Sequence, residues 1–128
     1  MIGKLSQDIL ESLLETLPVD FSVLDANDKV LAWNKHDTRI FKRPQAVLGR
    51  DVRNCHPQKS LARVEQLIAE MKSGKRDKAR FWIDMGGDRV LIEYFALKDS
   101  KGTYFGCLEV TQKITDIQNL TGEKRLLD

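Results

Sequence analysis

The sequence predicts an α+β domain in which helices cover one face of an antiparallel sheet. Three observations predict it. Apolar residues recur at helical spacing near the N-terminus and again after Pro57. Two short strand-like runs flank a polar turn between Phe21 and Asn34. From Ala79 onward the apolar period changes to two, and turn residues divide the last third into three strands. Strand runs separated by a helical block give an α+β domain with a five-stranded sheet.

The first element is an amphipathic helix over about Lys4–Thr16. Leu5, Ile9, Leu13 and Leu17 form its stripe, Asp8, Glu11 and Glu15 take other faces, and Pro18 ends it. This stripe is wide enough to pair with a second copy, so a homodimer through this helix is expected. Phe21–Asp25 and Val30–Asn34 are strands, joined by Ala26–Lys29, where Asn and Asp tolerate turn geometry. Lys35–Gln45 is polar, and short helical turns broken at Pro44 are expected there. Gly49 stops a further helical piece. Leu61, Val64, Leu67, Ile68 and Met71 then mark a helix over Gln58–Met71, with Pro57 at its start and Gly74 at its end. Ala79, Phe81, Ile83 and Met85 alternate with polar residues and Trp82. Gly86-Gly87-Asp88 makes a tight hairpin turn, Val90–Leu97 and Tyr104–Thr111 are the last strands, and Gly106 is a bulge or close-approach point. Thr115–Asp128 reads as an exit segment.

A chain of 128 residues with 41% hydrophobic and 31% charged residues is one globular domain. A net charge of +2, with acids and bases interspersed, excludes an electrostatic footprint for nucleic acid. No apolar run reaches membrane-span length, and the N-terminus turns polar too early for a signal peptide, so a cytoplasmic protein is expected. Cys55 and Cys107 are then thiols. No repeat and no low-complexity segment interrupts the pattern.

This order of elements resembles a PAS domain. "FSVLDANDKVLAWN" is similar to that family's opening hairpin, "AVLGRDV" to its helix-ending step, and "GTYFGCLEVTQKITDIQNL" to its last strand and exit phrase. The exit departs from the usual Asp-Ile-Thr, reading Lys113-Ile114-Thr115 with Asp116 after it. With "GRDVRNCHPQKS" and "SGKRDKARFWIDMGG", the chain looks closest to the PAS unit that follows a hemerythrin-like domain in bacterial and archaeal proteins of unassigned function. Only one helix precedes the core here, so that domain's chemistry is not carried over. The resemblance divides the chain into an N-terminal helix (1–18), a PAS domain (19–115) and an exit segment (116–128). It implies a sensory or signalling module that binds a small molecule between sheet and helix.

Gly49–Pro57 concentrates the candidate chemistry. His56 is the sharpest candidate, because heme-binding PAS domains take an axial histidine from the long helix beside the pocket. Heme is thus the leading cofactor, with His56 its metal ligand and Met71, Met85 or water opposite. Trp82 and Cys55 complete the expected cofactor-binding set. The plain alternative is that Asn54 caps the helix and His56 is a polar first-turn residue. Asn54-Cys55 resembles the flavin-attacking phrase of light-sensing PAS domains, but Gly49 lies too far upstream, and Thr111 stands where that family places a flavin-contacting glutamine, so flavin is disfavoured. Cys55, His56, Cys107 and His36 lack paired metal-ligand spacing. No catalytic constellation is present, and a non-enzymatic role is expected. The competing readings are a ligand-free dimerisation scaffold and a redox sensor using Cys55.

Overall fold

The computed structural model describes residues 2–55 and 58–127, with the backbone alone at Cys55. The elements follow in the order α1 (Gln7–Thr16), β1 (Asp20–Asp25), β2 (Val30–Trp33), two short 3-10 turns (Gln45–Val47 and Val52–Cys55), α2 (Gln58–Ser73), β3 (Lys78–Met85), β4 (Asp88–Lys98), β5 (Tyr104–Lys113) and the single turn α3 (Thr115–Gln118). The five strands form one antiparallel sheet in the order β2-β1-β5-β4-β3. The predicted fold class is the observed one.

Local chemistry sets the boundaries. α1 begins at Gln7, later than the apolar stripe suggests, because Ser6 caps it by accepting a hydrogen bond from Ile9 N at 3.2 Å. Gly86 and Gly87 have φ of 60° and 86°, which lets a two-residue loop join Met85 to its partner Asp88. At Gly106 a Cβ would lie 2.6 Å from Leu24 O, so only glycine lets β5 run this close to β1. Lys35–Pro44 makes a turn at Thr38 rather than helical turns, and the 3-10 turn lies beyond Pro44.

The register divides the inner face of the sheet, the one that meets α2, into rungs. Val30, Leu24, Cys107 and Ala96 form the first. Trp33, Ser22, Glu109, Tyr94 and Ala79 form the second. Asp20, Thr111, Ile92 and Phe81 form the third, and Lys113, Val90 and Ile83 the fourth. The core gathers at the first rung, where Ile68 and Met71 of α2 and Val52 pack on Leu24, Val30 and Cys107. A second fastening holds α2 to the hairpin. Asp28, in a left-handed conformation at φ 66°, receives Lys72 Nζ at 2.9 Å and Arg53 Nη1 at 3.1 Å. Toward the fourth rung the cover thins, and Phe81, Ile83 and Met85 remain exposed on β3. No helix among the described residues is long and apolar enough to cross a membrane.

Candidate functional site

The middle rung carries a polar network that α+β cores seldom place on an inner face. Glu109 accepts from Tyr94 Oη at 2.6 Å and pairs with Arg43 Nη2 at 3.3 Å. Arg43 Nε also donates to Ser22 Oγ at 3.0 Å. Arg39, buried beside them, donates to the backbone oxygens of Phe21, Asn34 and Phe41 and to Ser22 Oγ. Burial lowers the Arg39 pKa, and Arg43 lowers it further; the carboxylates of Asp20 and Glu109 oppose this. Burial raises the Tyr94 pKa strongly, reinforced by Glu109, so the phenol remains a proton donor to that carboxylate. The network ties the Lys35–Pro44 segment to three strands. Satisfied charges and hydrogen bonds of this kind fix one arrangement.

The network separates two unlike spaces. On the first-rung side lies an enclosed cavity of about 10 Å³, bordered by Ser22, Leu24, Val30, Arg43, Val52, Tyr94, Cys107 and Glu109. That volume holds one water at most. On the other side an open cleft of about 570 Å³ runs over the third and fourth rungs. Pro18, Val19 and Asp20 form one wall, Lys35 and Thr38–Ile40 another, and Met85, Asp88, Val90, Thr111 and Lys113 the floor and far side. Volumes of this size suit small-molecule sites.

An unmet polar group is buried within the floor of the cleft. Thr111 is 1% exposed, and its Oγ1 has no hydrogen-bond partner among the described residues. Its register partner on β1 is Asp20, also buried, whose Oδ2 accepts from Ile40 N at 2.8 Å. The far side of the cleft leads into the exit segment. Lys113 Nζ lies 3.4 Å from Asp88 Oδ2, Thr115 Oγ1 donates to Asp88 Oδ1 at 3.0 Å and accepts from Arg89 N at 2.9 Å, and Ile114 N donates to Arg89 O.

The residues expected from sequence fall in different places. His56 lies outside the described residues, as does the side chain of Cys55. Met71 is completely buried in the core, where its sulfur receives the Cys107 thiol at 3.7 Å. Met85 lines the cleft. Trp82 alternates with the inward Phe81 and Ile83, points away from α2 and is 60% exposed. Of the expected set, Met71, Met85 and Trp82 therefore do not face one space. Among the described residues no three His, Cys, Asp or Glu side chains converge to hold a metal ion. His36 is engaged elsewhere, stacking on Trp33 and accepting from its Nε1 at 2.9 Å. The sequence alone does not mark Asp20, Ser22, Arg39, Arg43, Glu109 and Thr111 as a group. A signal was present: along β5 the inward positions are Cys107, Glu109, Thr111 and Lys113, while Leu108 and Val110 face outward. That is the reverse of the usual apolar-in pattern.

Comparisons with known proteins agree with this geometry. The C-terminal domain of a Streptococcus mutans protein matches at 29% identity over 94% of this chain and 94% of its own, with a TM-score of 0.88. The PAS domain of BvgS from Bordetella pertussis matches at 18% identity, over 84% of this chain and 85% of that one, with a TM-score of 0.62. VqmA of Vibrio cholerae, described as a LuxR-type receptor dimer, matches at 19% identity and TM-score 0.62, over 94% of this chain and 56% of its own. No curated protein matches the chain. A family model described as "PAS domain" matches residues 10–115. With most of its length matched by that model and its sheet in PAS order, the chain belongs to the PAS domain family, sensory modules typical of signalling proteins.

Proposed function

We propose that this PAS domain senses a small molecule taken into the open cleft of its inner sheet face. The position of the cleft carries the reading. Pro18 and Val19, where the chain leaves α1, form one wall, and Lys113, where it enters the exit segment, forms the opposite side. A molecule seated there touches both segments that could carry a signal out of the domain. The readout is Asp88, held by Lys113 and Thr115. A ligand that favours one placement of Asp88 shifts the exit segment by the difference in its affinity for the two placements, and by no more. Native mass spectrometry of protein from several expression hosts tests this. A retained mass of small-molecule size, lost on denaturation, is expected. Bare protein throughout contradicts the reading.

Heme, the cofactor the sequence favoured, does not fit the space under α2. A cavity of about 10 Å³ excludes a macrocycle, Met71 is committed to the core, and Trp82 faces the other way. A Soret band after reconstitution that is lost in His56→Ala would restore it.

A second reading has its own observation. No residue of α1 is buried, and Ile9 is 55% exposed with Leu5, Leu10 and Leu13 exposed beside it. An apolar stripe this open suits a homodimer through α1, either as a scaffold or as the means by which the sensor signals. Sedimentation equilibrium should give twice the monomer mass, falling to the monomer in Ile9→Glu. A wild-type monomer at high concentration removes this reading. The redox alternative rests on Cys55 alone, because burial pushes the Cys107 thiol up to about 12, helped by Glu109, and leaves it unreactive.

A further inference from the structure

We infer that the edge of β3 is a self-association surface, which pairs antiparallel with β3 of a second copy about a twofold axis at Trp82 and joins the two sheets into one. The inference goes beyond the cleft reading and does not depend on it.

The two edges of the sheet are finished differently. β2 has four residues, and its ladder with β1 is irregular at Val23/Leu24. Its Val30 donates its backbone N–H to Arg50 O at 2.9 Å and accepts from Gly49 N at 2.7 Å, so that edge is short and already covered. β3 has eight residues in unbroken register with β4. Among the described residues, no backbone group of β3 hydrogen-bonds beyond that ladder. The prolines, bulges and inward-pointing charges by which edge strands commonly repel a further strand are absent from β3. Phe81, Trp82, Ile83 and Met85 are all exposed, so both faces of the strand are apolar at its centre.

The order of residues selects a second copy as the occupant. Arg80-Phe81-Trp82-Ile83-Asp84 runs base, apolar, aromatic, apolar, acid, and is therefore complementary to itself when antiparallel. Cross-strand partners share a face of the sheet. With Trp82 opposite Trp82 of the partner subunit, Arg80 meets Asp84 of the partner subunit, Phe81 meets Ile83, and Ala79 meets Met85, each pair occurring twice. β4 extends the charge pattern, because Arg80 pairs with Glu93 at 3.0 Å and Asp84 with Arg89 at 3.1 Å, all on the outer face. Across the joint, Glu93 and Arg80 are followed by Asp84 and Arg89 of the partner subunit, so the sign alternates along the row. Moving the register by one pair sets Arg80 against Gly86 in one direction and Asp77 against Met85 in the other.

The test uses the Ile9→Glu protein, to set aside pairing through α1. The two surfaces are separate, since α1 is fastened at the other edge, where Asn34 just past β2 donates to Leu14 O at 2.8 Å. A single strand pair buries little surface, so this association is the weaker one. Sedimentation equilibrium should give the monomer at about 10 μM and approach twice its mass toward about 1 mM. Amide shifts that change over this range should be confined to β3 and the facing residues of β4. R80D and D84R, each added to Ile9→Glu, place like charges at both cross-axis positions and should weaken association at least about fivefold. An equimolar mixture of the two restores opposite charges at every such position and should recover it. Amide spectra report whether each variant is folded, and the dilution series of the Ile9→Glu protein does not depend on either. A monomer at all concentrations, shifts outside β3 and β4, or a mixture of folded variants that associates no better than its components overturns the inference.

Discussion

The two ends of the inner sheet face are built from the same strands and are filled in opposite ways. At the Leu24–Cys107 end, Met71 and Ile68 descend from α2 into a rung of small and branched side chains, and almost no space remains. At the Asp20–Thr111 end α2 supplies none of the residues around an open cleft, although Asp20 and Thr111 themselves are buried. Between them the Arg39–Arg43–Glu109–Tyr94 network acts as a wall. The difference teaches that α2 need not be the ligand-facing element merely because it crosses the sheet. Its apolar side is consumed by packing, and burial of that side supplies stability. The proposed ligand space lies where polar side chains occupy inward positions that α2 does not cover.

Substitutions should break this contrast in a graded way. Met71→Ala at the closed end removes a fully buried side chain and should cost about 2–5 kcal/mol in urea unfolding, with ligand selectivity unchanged in whatever folded fraction remains. At the wall, Glu109→Gln keeps an acceptor for Tyr94 but removes the charge that Arg43 pairs with; a loss of about 1–3 kcal/mol is expected. A loss at Glu109 larger than at Met71 would make the network, not the apolar rung, the stability centre.

Alkaline pH should reach the closed end first and the Tyr94 phenol of the wall after it, since burial and Glu109 also hold that phenol above its ordinary value. Burial pushes the Cys107 thiol up from 9.0 to about 12 and the Tyr104 hydroxyl up from 10.0 to about 12. Both groups hold their protons more tightly when folded. Their contribution is complete below the unfolded values and is lost as pH rises through the window toward 12. Urea midpoints should therefore fall between pH 9 and 12, less steeply in Cys107→Ala, which starts from a lower value. An equally steep fall in that variant would place the titrating group elsewhere. The smallest effect belongs to the open end: Thr111→Val should change stability by less than about 0.5 kcal/mol, or raise it, because the hydroxyl it removes has no partner. A clear destabilisation would show that the hydroxyl is satisfied in the folded protein.

Much of the fold was legible because it follows from local rules. Period-two alternation over 79–85, the Gly86-Gly87 turn and Gly106 each correspond to an observed strand, hairpin or close approach. The strand ends ran longer than expected: β4 begins at Asp88 and β5 continues to Lys113, since ladder pairing carries polar residues that pattern alone assigns to turns. The site was far less legible. Arg39 sits in a polar stretch that reads as solvated, yet it is buried because backbone oxygens of β1 and of its own loop accept its donors. Only the fold brings those acceptors together. Nothing in the sequence beside Thr111 marks it, and its pairing with Asp20 joins residues at opposite ends of the chain. Cys55 and His56, by contrast, are conspicuous by residue type alone. Met71 was likewise conspicuous and proved to be core.

The division of the inner face into a closed end and an open end proposed to take a ligand is tested most directly by methyl-resolved NMR of the whole chain with small organic co-solvents such as isopropanol and acetonitrile. The account predicts shifts confined to the methyl groups of Val19, Ile40, Val90 and Thr111 around the cleft, with Leu24, Val30, Val52, Ile68 and Met71 silent. Shifts concentrated on the Met71 cluster, with the cleft methyls unmoved, would contradict it.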